Sequence, residues 1–322
     1  MNNLKRLLLL VGLVALVFAG WAYLRGRREI RAARERVAEG GEIAQTEAGA
    51  IEYTTGGGDG PPVLVIHGAG GGYDQGAILA SMLLGDEFRW IAPSRFGYLG
   101  SPLPEDASLA AQADALAALL DELGIERVAV VGVSAGGPPA LQFALRHPER
   151  VTALLMAAAI SDAPYLVERE PAPVSEGAYK MLLQQDGIFW LLKRYAPSTL
   201  MTMFGVPEEV QSDLSSDEKA WAADFVDSIL PVSMRYEGMI NDMEPRPRQE
   251  ADTLGRIDAP TLVIHAADDT LVPIREGEFS AQTIPGADFI VLPEGGHLLL
   301  GHHDEVQSQV IAFLKQHVEA GE

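Results

Sequence analysis

The segment Gly132-Val133-Ser134-Ala135-Gly136 is the first part of this 322-residue sequence whose residue types and spacing could do covalent chemistry. It follows an apolar run at residues 128–131 and precedes apolar residues at helical spacing. A serine on an abrupt strand-to-helix turn presents its hydroxyl above the sheet, and the N–H of Ala135 is left to bind a developing oxyanion. The same pattern also occurs in ordinary turns, so a nucleophilic Ser134 needs partners elsewhere in the chain.

An acid and an imidazole follow two other predicted strands. Residues 260–264 have the continuous apolar pattern of a buried strand and lead to Asp268 and Asp269, while residues 289–292 lead to His297. The carboxyl ends of parallel strands meet at one edge of a sheet, so these side chains are expected near Ser134. A serine hydroxyl needs a base to accept its proton, and the base needs a carboxylate that orients it. The sequence therefore predicts a Ser-His-Asp site at this edge.

A glycine-rich stretch, His67-Gly68-Ala69-Gly70-Gly71-Gly72, directly follows an apolar strand pattern at residues 62–66. Phosphate binding is disfavoured, because Tyr73 replaces the third glycine of a dinucleotide fingerprint and no Gly-Lys-Ser/Thr sequence accompanies it. A loop in this position can instead turn the N–H of Ala69 toward the serine as a second oxyanion donor. Arg95, which follows the next predicted strand, is interpreted as a structural hydrogen-bond donor rather than a substrate ligand.

Predicted strands and helices alternate along residues 41–160 and again along residues 256–322. Such alternation predicts an α/β protein with a doubly wound, mostly parallel sheet. Residues 161–255 contain no buried-strand pattern, but they hold six of the nine methionines and have helical apolar spacing. We interpret this segment as an inserted helical cap whose apolar underside would suit an acyl or aromatic group.

Charge and cysteine content exclude several classes of function. The net charge is −21, and eight of the 24 Lys and Arg residues lie within the first 36 positions, so the rest of the chain is strongly acidic. Such a surface repels nucleic acid, and no nucleic-acid partner is expected. The chain has no cysteine, which excludes disulfides, thiolate catalysis and Cys-based metal sites.

The N-terminus combines an apolar run with a basic segment. Residues 7–24 carry no charge and would form a helix of about 27 Å, enough to span a bilayer core, and six arginines follow before position 37. We predict a transmembrane helix and charged stalk over residues 1–40, with Gly40 and Gly41 ending the helix. The positive-inside rule would hold the C-terminal body on the cytoplasmic side of this single-pass anchor. The alternative is a signal peptide that is cleaved during export.

Five segments in this order resemble the α/β-hydrolase superfamily, over residues 48–318. They are residues 67–70, residues 94–98 with the sequence Ser-Arg-Phe-Gly-Tyr, the Gly-x-Ser-x-Gly segment, residues 269–273 and residues 296–297. The resemblance implies an acyl-enzyme on Ser134, with His297 as general base and then general acid, and an oxyanion hole formed by the N–H groups of Ala69 and Ala135. Acids of the family commonly stand four residues before a proline such as Pro273, which favours Asp269 over Asp268 as the orienting acid.

The resemblance also implies a structural role for His67 and a reaction without a metal or an organic cofactor. His302 and His303 stand at the start of a predicted last helix, and no His-Glu-x-x-His pattern accompanies them. We therefore interpret these two side chains as a solvated helix terminus rather than a metal site.

The leading functional prediction is a serine hydrolase that cleaves small to medium carboxylic esters. The same triad could instead serve C–C bond hydrolysis, acyl transfer, amide cleavage or cofactor-free peroxidation, all of which occur in the family. Haloalkane dehalogenase and epoxide hydrolase activities are disfavoured, because they need a carboxylate where Ser134 stands. A protein that keeps the fold for non-catalytic ligand binding is a further alternative.

Overall fold

The computed structural model describes residues 3–161, 176–244 and 251–318, and these form one eight-stranded sheet with surrounding helices. The strands are β1 (Glu42–Thr46), β2 (Gly49–Gly57), β3 (Pro62–Ile66), β4 (Arg89–Pro93), β5 (Val128–Val133), β6 (Val151–Ala157), β7 (Thr261–Ala266) and β8 (Asp288–Leu292). Their order across the sheet is β1-β2-β4-β3-β5-β6-β7-β8. The pairs β1/β2 and β2/β4 are antiparallel and the other five pairs are parallel. The predicted mostly parallel sheet is confirmed.

β1 is a strand that the sequence pattern did not predict. Of its five residues Ala44 alone is buried, because β1 lies at the edge of the sheet and is covered poorly on both faces. Hydrophobic periodicity has little to detect in such a strand. Backbone hydrogen bonding to β2 in antiparallel register holds it in place.

The helices cover both faces of the sheet and form the insertion between β6 and β7. They are α1 (Asn3–Glu39), α2 (Tyr73–Leu84), α3 (Leu109–Glu122), α4 (Gly137–Arg146), α5 (Glu176–Leu183), α6 (Asp186–Tyr195), α7 (Pro197–Met203), α8 (Glu208–Asp213), α9 (Ser216–Ser228), α10 (Tyr236–Met243), α11 (Ala251–Leu254), α12 (Arg275–Thr283) and α13 (His303–Val318). In β5, Ala129 and Val131 pack with α2 and α13, whereas Val128 and Val130 pack with α3 and α4. Both faces of β5 are therefore buried, which explains its uninterrupted apolar sequence.

The described part of the predicted cap is helical. Residues 176–244 form α5 to α10 with short turns between them and no strand, while residues 162–175 and 245–250 of the predicted segment lie outside the described residues. Phe225, Ile229 and Val232 of this insertion share an apolar cluster with Leu83 of α2. The insertion is thus packed against the same face of the sheet that carries α2 and α13.

The N-terminal segment differs from its prediction. It forms one helix that ends at Glu39, just before the two glycines. Its basic half, the predicted charged stalk, packs against the insertion: Ala33 and Val37 are buried, and Arg34 lies 2.8 Å from Asp186. Of the helices in the described chain, none combines the length and the hydropathy that crossing a bilayer requires. The predicted transmembrane anchor and its cytoplasmic orientation are therefore not supported.

Candidate active site

Ser134 lies directly after β5, in a single turn of 3₁₀-helix (Ser134–Gly136) that leads into α4. Its φ is 53°, in the left-handed region that residues other than glycine rarely adopt. Gly136 makes the turn possible, because a Cβ at this position would collide with the carbonyl oxygen of Ile66 at the end of β3. The close approach of two neighbouring strand ends thus requires the last glycine of the motif and leaves the Ser134 hydroxyl above the sheet.

Hydrogen bonds join Ser134, His297 and Asp269 in a continuous chain. Nε2 of His297 lies 2.9 Å from Oγ of Ser134, and Nδ1 of His297 lies 2.8 Å from Oδ2 of Asp269. A carboxylate only accepts, so Nδ1 carries the proton and Nε2 is the acceptor that faces the serine hydroxyl. The three side chains follow β5, β7 and β8, and the structure brings them together at the edge of the sheet where the sequence predicts them.

The neighbouring carboxylate of Asp268 has different partners. Its oxygens accept the N–H groups of Gly295 at 3.3 Å and Gly296 at 2.8 Å. Asp268 therefore holds the loop that carries His297, while Asp269 makes the contact with the imidazole. The loop is also held from the insertion, because the N–H of His297 donates to the carbonyl oxygen of Gly205 at 3.1 Å.

Four N–H groups converge on the Asp269 carboxylate. Oδ1 accepts from the backbone of Leu271 at 2.8 Å and Val272 at 2.9 Å, and Oδ2 lies 2.8 Å from Nδ1 of His297 and 3.3 Å from Nε2 of His265. Burial alone would raise the pKa of this carboxyl, but the nearby His297 charge and the hydrogen bonds from both histidines lower it well below its ordinary value. Asp269 therefore remains ionised at neutral pH.

His265 is a residue of this site that the sequence reasoning did not identify. It is fully buried near the end of β7, and its Nε2 lies 2.8 Å from the carbonyl oxygen of Val272 as well as near Asp269. Both neighbours are acceptors, so Nε2 carries the proton of the ring. The sequence signal is the spacing His-x-x-x-Asp at the end of a strand, which brings the imidazole behind the acid.

The two predicted oxyanion donors both adjoin Ser134. Ala69 lies in the glycine-rich loop after β3 and lines the same cavity as Ser134. The loop passes so near the serine that a Cβ added to Gly68 would lie 3.0 Å from Cβ of Ser134. Ala135 is the second residue of the 3₁₀ turn, where the first N–H groups have no partner within the helix.

A cavity of about 1510 Å³ lies above Ser134 and His297 and is lined from both the sheet and the insertion. The charged side chains among its described lining residues are Lys180 and Glu244. Most of the remaining lining is apolar, and the insertion contributes large side chains: Phe189, Phe204, Trp221, Phe225, Met239 and Met243. The insertion therefore has the apolar underside that its composition predicts.

His67 and Arg95 contact the glycine-rich loop and each other. Arg95 donates to the carbonyl oxygens of His67 and Gly68 at 3.0 and 3.1 Å, and Nε2 of His67 accepts the backbone N–H of Arg95 at 3.0 Å. Burial and the nearby Arg95 charge lower the pKa of His67 well below its ordinary value, so its ring is neutral. Both side chains thus make structural contacts of the kind predicted for them.

His303 does not have the solvated position predicted for it. Its ring packs edge-on against Trp221 with 4.5 Å between ring centroids, and its Nε2 lies 3.0 Å from the carbonyl oxygen of Leu298. Burial lowers the pKa of this imidazole. His302 pairs with Glu305 at 3.2 Å, and within residues 3–161, 176–244 and 251–318 no three His, Asp or Glu side chains are grouped so that they could share a metal ion.

A mostly parallel sheet with a serine after one strand, and an acid and a histidine after two later strands, is the architecture of α/β hydrolases. A family model described as alpha/beta hydrolase fold matches residues 61–304 of the chain. The chain therefore belongs to the α/β-hydrolase superfamily, and the resemblance found in its sequence is confirmed.

Individual relatives are hydrolases of more than one kind. A 2-hydroxy-6-oxononadienedioate/2-hydroxy-6-oxononatrienedioate hydrolase of Paraburkholderia phymatum is 31% identical over 205 residues, which are 62% of this chain and 67% of that protein. The structure of an alpha/beta hydrolase fold protein from Nakamurella multipartita superimposes with a TM-score of 0.73 at 29% identity and covers 85% of this chain and 99% of its own. A thermophilic esterase from Thermogutta terrifontis superimposes with a TM-score of 0.60 at 25% identity, covering 88% and 99%.

Proposed function

We propose that this hydrolase cleaves carboxylic esters through an acyl-enzyme formed on Ser134. His297 acts as general base and general acid, Asp269 orients it, and the N–H groups of Ala69 and Ala135 form the oxyanion hole. The observation that carries the proposal is the unbroken hydrogen-bond chain from Ser134 through His297 to Asp269 at the floor of an apolar cavity.

In the first half of the reaction Oγ of Ser134 attacks the ester carbonyl while its proton passes to Nε2 of His297. The electron pair of the carbonyl bond moves to the oxygen, and the N–H groups of Ala69 and Ala135 stabilise this negative charge. Collapse of the tetrahedral intermediate breaks the bond to the alcohol oxygen, which takes the proton from Nε2 and leaves. Asp269 stabilises the transient imidazolium and keeps the ring in the tautomer that accepts at Nε2.

In the second half a water molecule repeats these steps on the acyl-enzyme. Nε2 of His297 takes one water proton as the oxygen attacks the acyl carbon, and the same oxyanion donors bind the second tetrahedral intermediate. The proton then passes from Nε2 to Oγ of Ser134, which leaves as the serine hydroxyl and releases the carboxylic acid.

The cavity favours esters with a large apolar group. Its volume of about 1510 Å³ exceeds the roughly 300–1,000 Å³ of ordinary small-molecule sites. Each CH₂ group that is buried adds about 0.8 kcal/mol to the binding free energy, so the apolar lining favours a long or bulky acyl or alcohol group. We therefore propose that its substrates include esters larger than the small to medium ones expected from the sequence.

C–C bond hydrolysis is the second candidate function, because a relative is named for a 6-oxo-nonadienedioate. Such a substrate has a ketone and no ester bond, so its hydrolysis breaks a carbon–carbon bond. A dioate also carries two carboxylates, whose burial needs cationic partners. The described lining offers one lysine, Lys180, and also one carboxylate, Glu244, which favours a neutral ester over a dianion in this cavity.

An ester series tests the proposal directly. Wild-type protein is assayed with p-nitrophenyl esters from acetate to dodecanoate and, in parallel, with a 2-hydroxy-6-oxo-dienoate bearing one carboxylate, and the products are identified by mass spectrometry. We expect ester hydrolysis that improves with acyl length and falls by about 10⁴-fold or more in Ser134→Ala. Preferred cleavage of the dienoate would establish the C–C activity instead.

Labelling with a fluorophosphonate separates both enzymatic candidates from a non-catalytic binding protein. An activated Ser134 reacts covalently with the probe, and Ser134→Ala serves as the negative control. Folded wild-type protein that is not labelled at Ser134 would overturn the enzymatic assignment altogether.

A further inference from the structure

The peptide unit between Gly68 and Ala69 is held in one orientation by two side chains. The carbonyl oxygen of Gly68 accepts from Nδ1 of His67 at 2.7 Å and from a guanidinium N–H of Arg95 at 3.1 Å. His67 is fully buried and Arg95 is 4% exposed. In a trans peptide the C=O and the following N–H point in opposite directions. The same two donors therefore fix the direction of the Ala69 N–H, which points away from Arg95.

A carboxylate of the insertion fixes the guanidinium in turn. Both oxygens of Asp242, on α10, accept from Arg95 at 2.6 and 2.7 Å, and the hydroxyl of Tyr98 donates to the same carboxylate at 2.6 Å. The Arg95 guanidinium also lies over the Tyr98 ring, 4.8 Å from its centroid. A bidentate pair of this kind fixes both the position and the plane of the guanidinium. Arg95 thus connects the insertion to two successive carbonyl oxygens of the glycine-rich loop.

The far end of the same loop has a similar connection. Arg235, which is fully buried in the insertion, donates to the carbonyl oxygen of Gly71 at 2.5 Å and to the carboxylate of Asp74 at 2.8 and 3.1 Å. The insertion therefore binds the loop at both ends, through Asp242 and Arg95 at one end and through Arg235 at the other.

We propose that Arg95 and Asp242 are positioning residues for the oxyanion hole, because the carboxylate of the insertion holds the guanidinium that aims the Ala69 N–H. This inference rests on the proposed function, in which Ala69 is an oxyanion donor. Neither side chain touches the reacting atoms. Their effect falls on the transition state, where the negative charge develops, and not on binding of the neutral ester.

Three variants test the proposal. Asp242→Asn keeps the size of the side chain and removes the charge that fixes Arg95. The double variant Arg95→Met with Asp242→Leu removes both charges together, which avoids leaving one buried charge without its partner. The matched control is Asp186→Asn, since Asp186 is another buried carboxylate of the insertion that pairs with an arginine, Arg34, but has no contact with the glycine-rich loop.

The kinetic readout separates positioning from a merely structural role. We expect kcat to fall about 10- to 100-fold in Asp242→Asn and in the double variant, with KM within about threefold of wild type, since loss of an entire oxyanion donor costs about 10²–10³. Asp186→Asn keeps the wild-type kcat. A trifluoromethyl ketone, which adds to the serine and forms an oxyanion, should lose affinity by the same factor as kcat, whereas the corresponding methyl ketone should not.

Two outcomes overturn the proposal. One is a folded Asp242→Asn or double variant with wild-type kcat and wild-type affinity for the trifluoromethyl ketone, and the other is an equal loss of affinity for both ketones. If Asp242→Asn does not fold, the double variant decides the question alone. The wild-type controls keep this failure distinct from failure of the proposed function, in which wild-type protein neither hydrolyses esters nor reacts with a fluorophosphonate.

Discussion

Nε2 of His297 lies 2.9 Å from Oγ of Ser134, although 163 positions separate the two residues in the chain. The whole insertion between β6 and β7 falls within this interval, and β6 and β7 pair directly in the sheet. The insertion also touches the site, through Gly205 at the backbone of His297 and through Asp242 at Arg95. The insertion and the edge of the sheet that carries Ser134 and His297 are therefore directly connected by hydrogen bonds.

The strained backbone at Ser134 predicts a difference in stability between two variants that lack the serine hydroxyl. A φ of 53° costs a non-glycine residue about 1–2 kcal/mol, and glycine avoids this cost but loses about 0.4–1 kcal/mol through its freer unfolded chain. Ser134→Gly should therefore have a free energy of unfolding about 0.5–1 kcal/mol above that of Ser134→Ala, although we expect both variants to be inactive. Urea denaturation of the two purified proteins measures the difference, and an alanine variant that is the more stable would contradict it.

The two adjacent aspartates predict different kinetic losses. In Asp269→Asn the one remaining oxygen is bound by the Leu271 and Val272 N–H groups, so an amide NH₂ rather than an acceptor faces Nδ1 of His297. We therefore expect kcat to fall about 10³- to 10⁴-fold. Asp268→Asn still offers one amide oxygen to the Gly295 and Gly296 N–H groups, and its kcat should fall less than about tenfold. Steady-state kinetics on one ester compares them. Equal losses would show that the two carboxylates are not distinguished as their contacts indicate.

Narrowing the cavity should alter selectivity for acyl length. Met239 is partly buried and lines the cavity, so Met239→Trp fills space that a long acyl chain would occupy. Loss of about three buried CH₂ groups, at about 0.8 kcal/mol each, corresponds to roughly a 50-fold drop in kcat/KM for dodecanoate relative to acetate. Met181→Trp is the control, since Met181 is 63% exposed and does not line the cavity. An unchanged ratio in Met239→Trp would mean that the acyl group lies elsewhere.

Stability should decrease in mildly acidic solution because of His67. Its folded pKa is well below the value of about 6.5 in the unfolded chain, so only the unfolded state binds a proton as the pH falls below about 6.5. The stability that His67 contributes is complete above that pH and is lost by about 1.4 kcal/mol per pH unit below it. His303, whose pKa is also lowered, adds to the same trend.

Thermal unfolding between pH 8 and pH 5 measures this loss. The variant His67→Asn retains an N–H donor for the Gly68 carbonyl oxygen but has no group that titrates in this range. It should be less stable than wild type at pH 8 and should show a shallower dependence on pH. If the stability of His67→Asn fell with pH as steeply as that of wild type, the pH dependence would come from other groups.

The sequence predicted the elements whose signals are local. The buried strands β3, β5, β6 and β7 have continuous apolar patterns, and Ser134, Asp269 and His297 each follow a predicted strand, so their meeting at one edge of the sheet could be predicted without a structure. β1 could not, because an edge strand that buries one residue in five leaves no periodic pattern.

Residues that act through distant partners gave no such signal. The sequence around His265 shows only a strand residue, and its role becomes visible only from the 3.3 Å distance between Nε2 and Asp269. Likewise, no residue near Asp242 in the sequence indicates that Asp242 pairs with Arg95, 147 positions earlier. The basic N-terminal segment was predicted to be a charged stalk, and its contacts with Asp186 and Trp190 could not be predicted, because composition does not show which distant part of the chain lies near it. Pairings between distant segments depend on the topology of the whole chain.

The pairing of Arg95 with Asp242 bears on the order of assembly during translation. The ribosome releases the segment containing Arg95 long before Asp242 has been synthesised, and a guanidinium at this buried position needs its carboxylate. On the proposed role of the pair, the nascent polypeptide therefore cannot complete its oxyanion loop until the later segment has been made and docked. The enzyme would therefore have no activity on the ribosome before the insertion, which lines its substrate cavity, has folded.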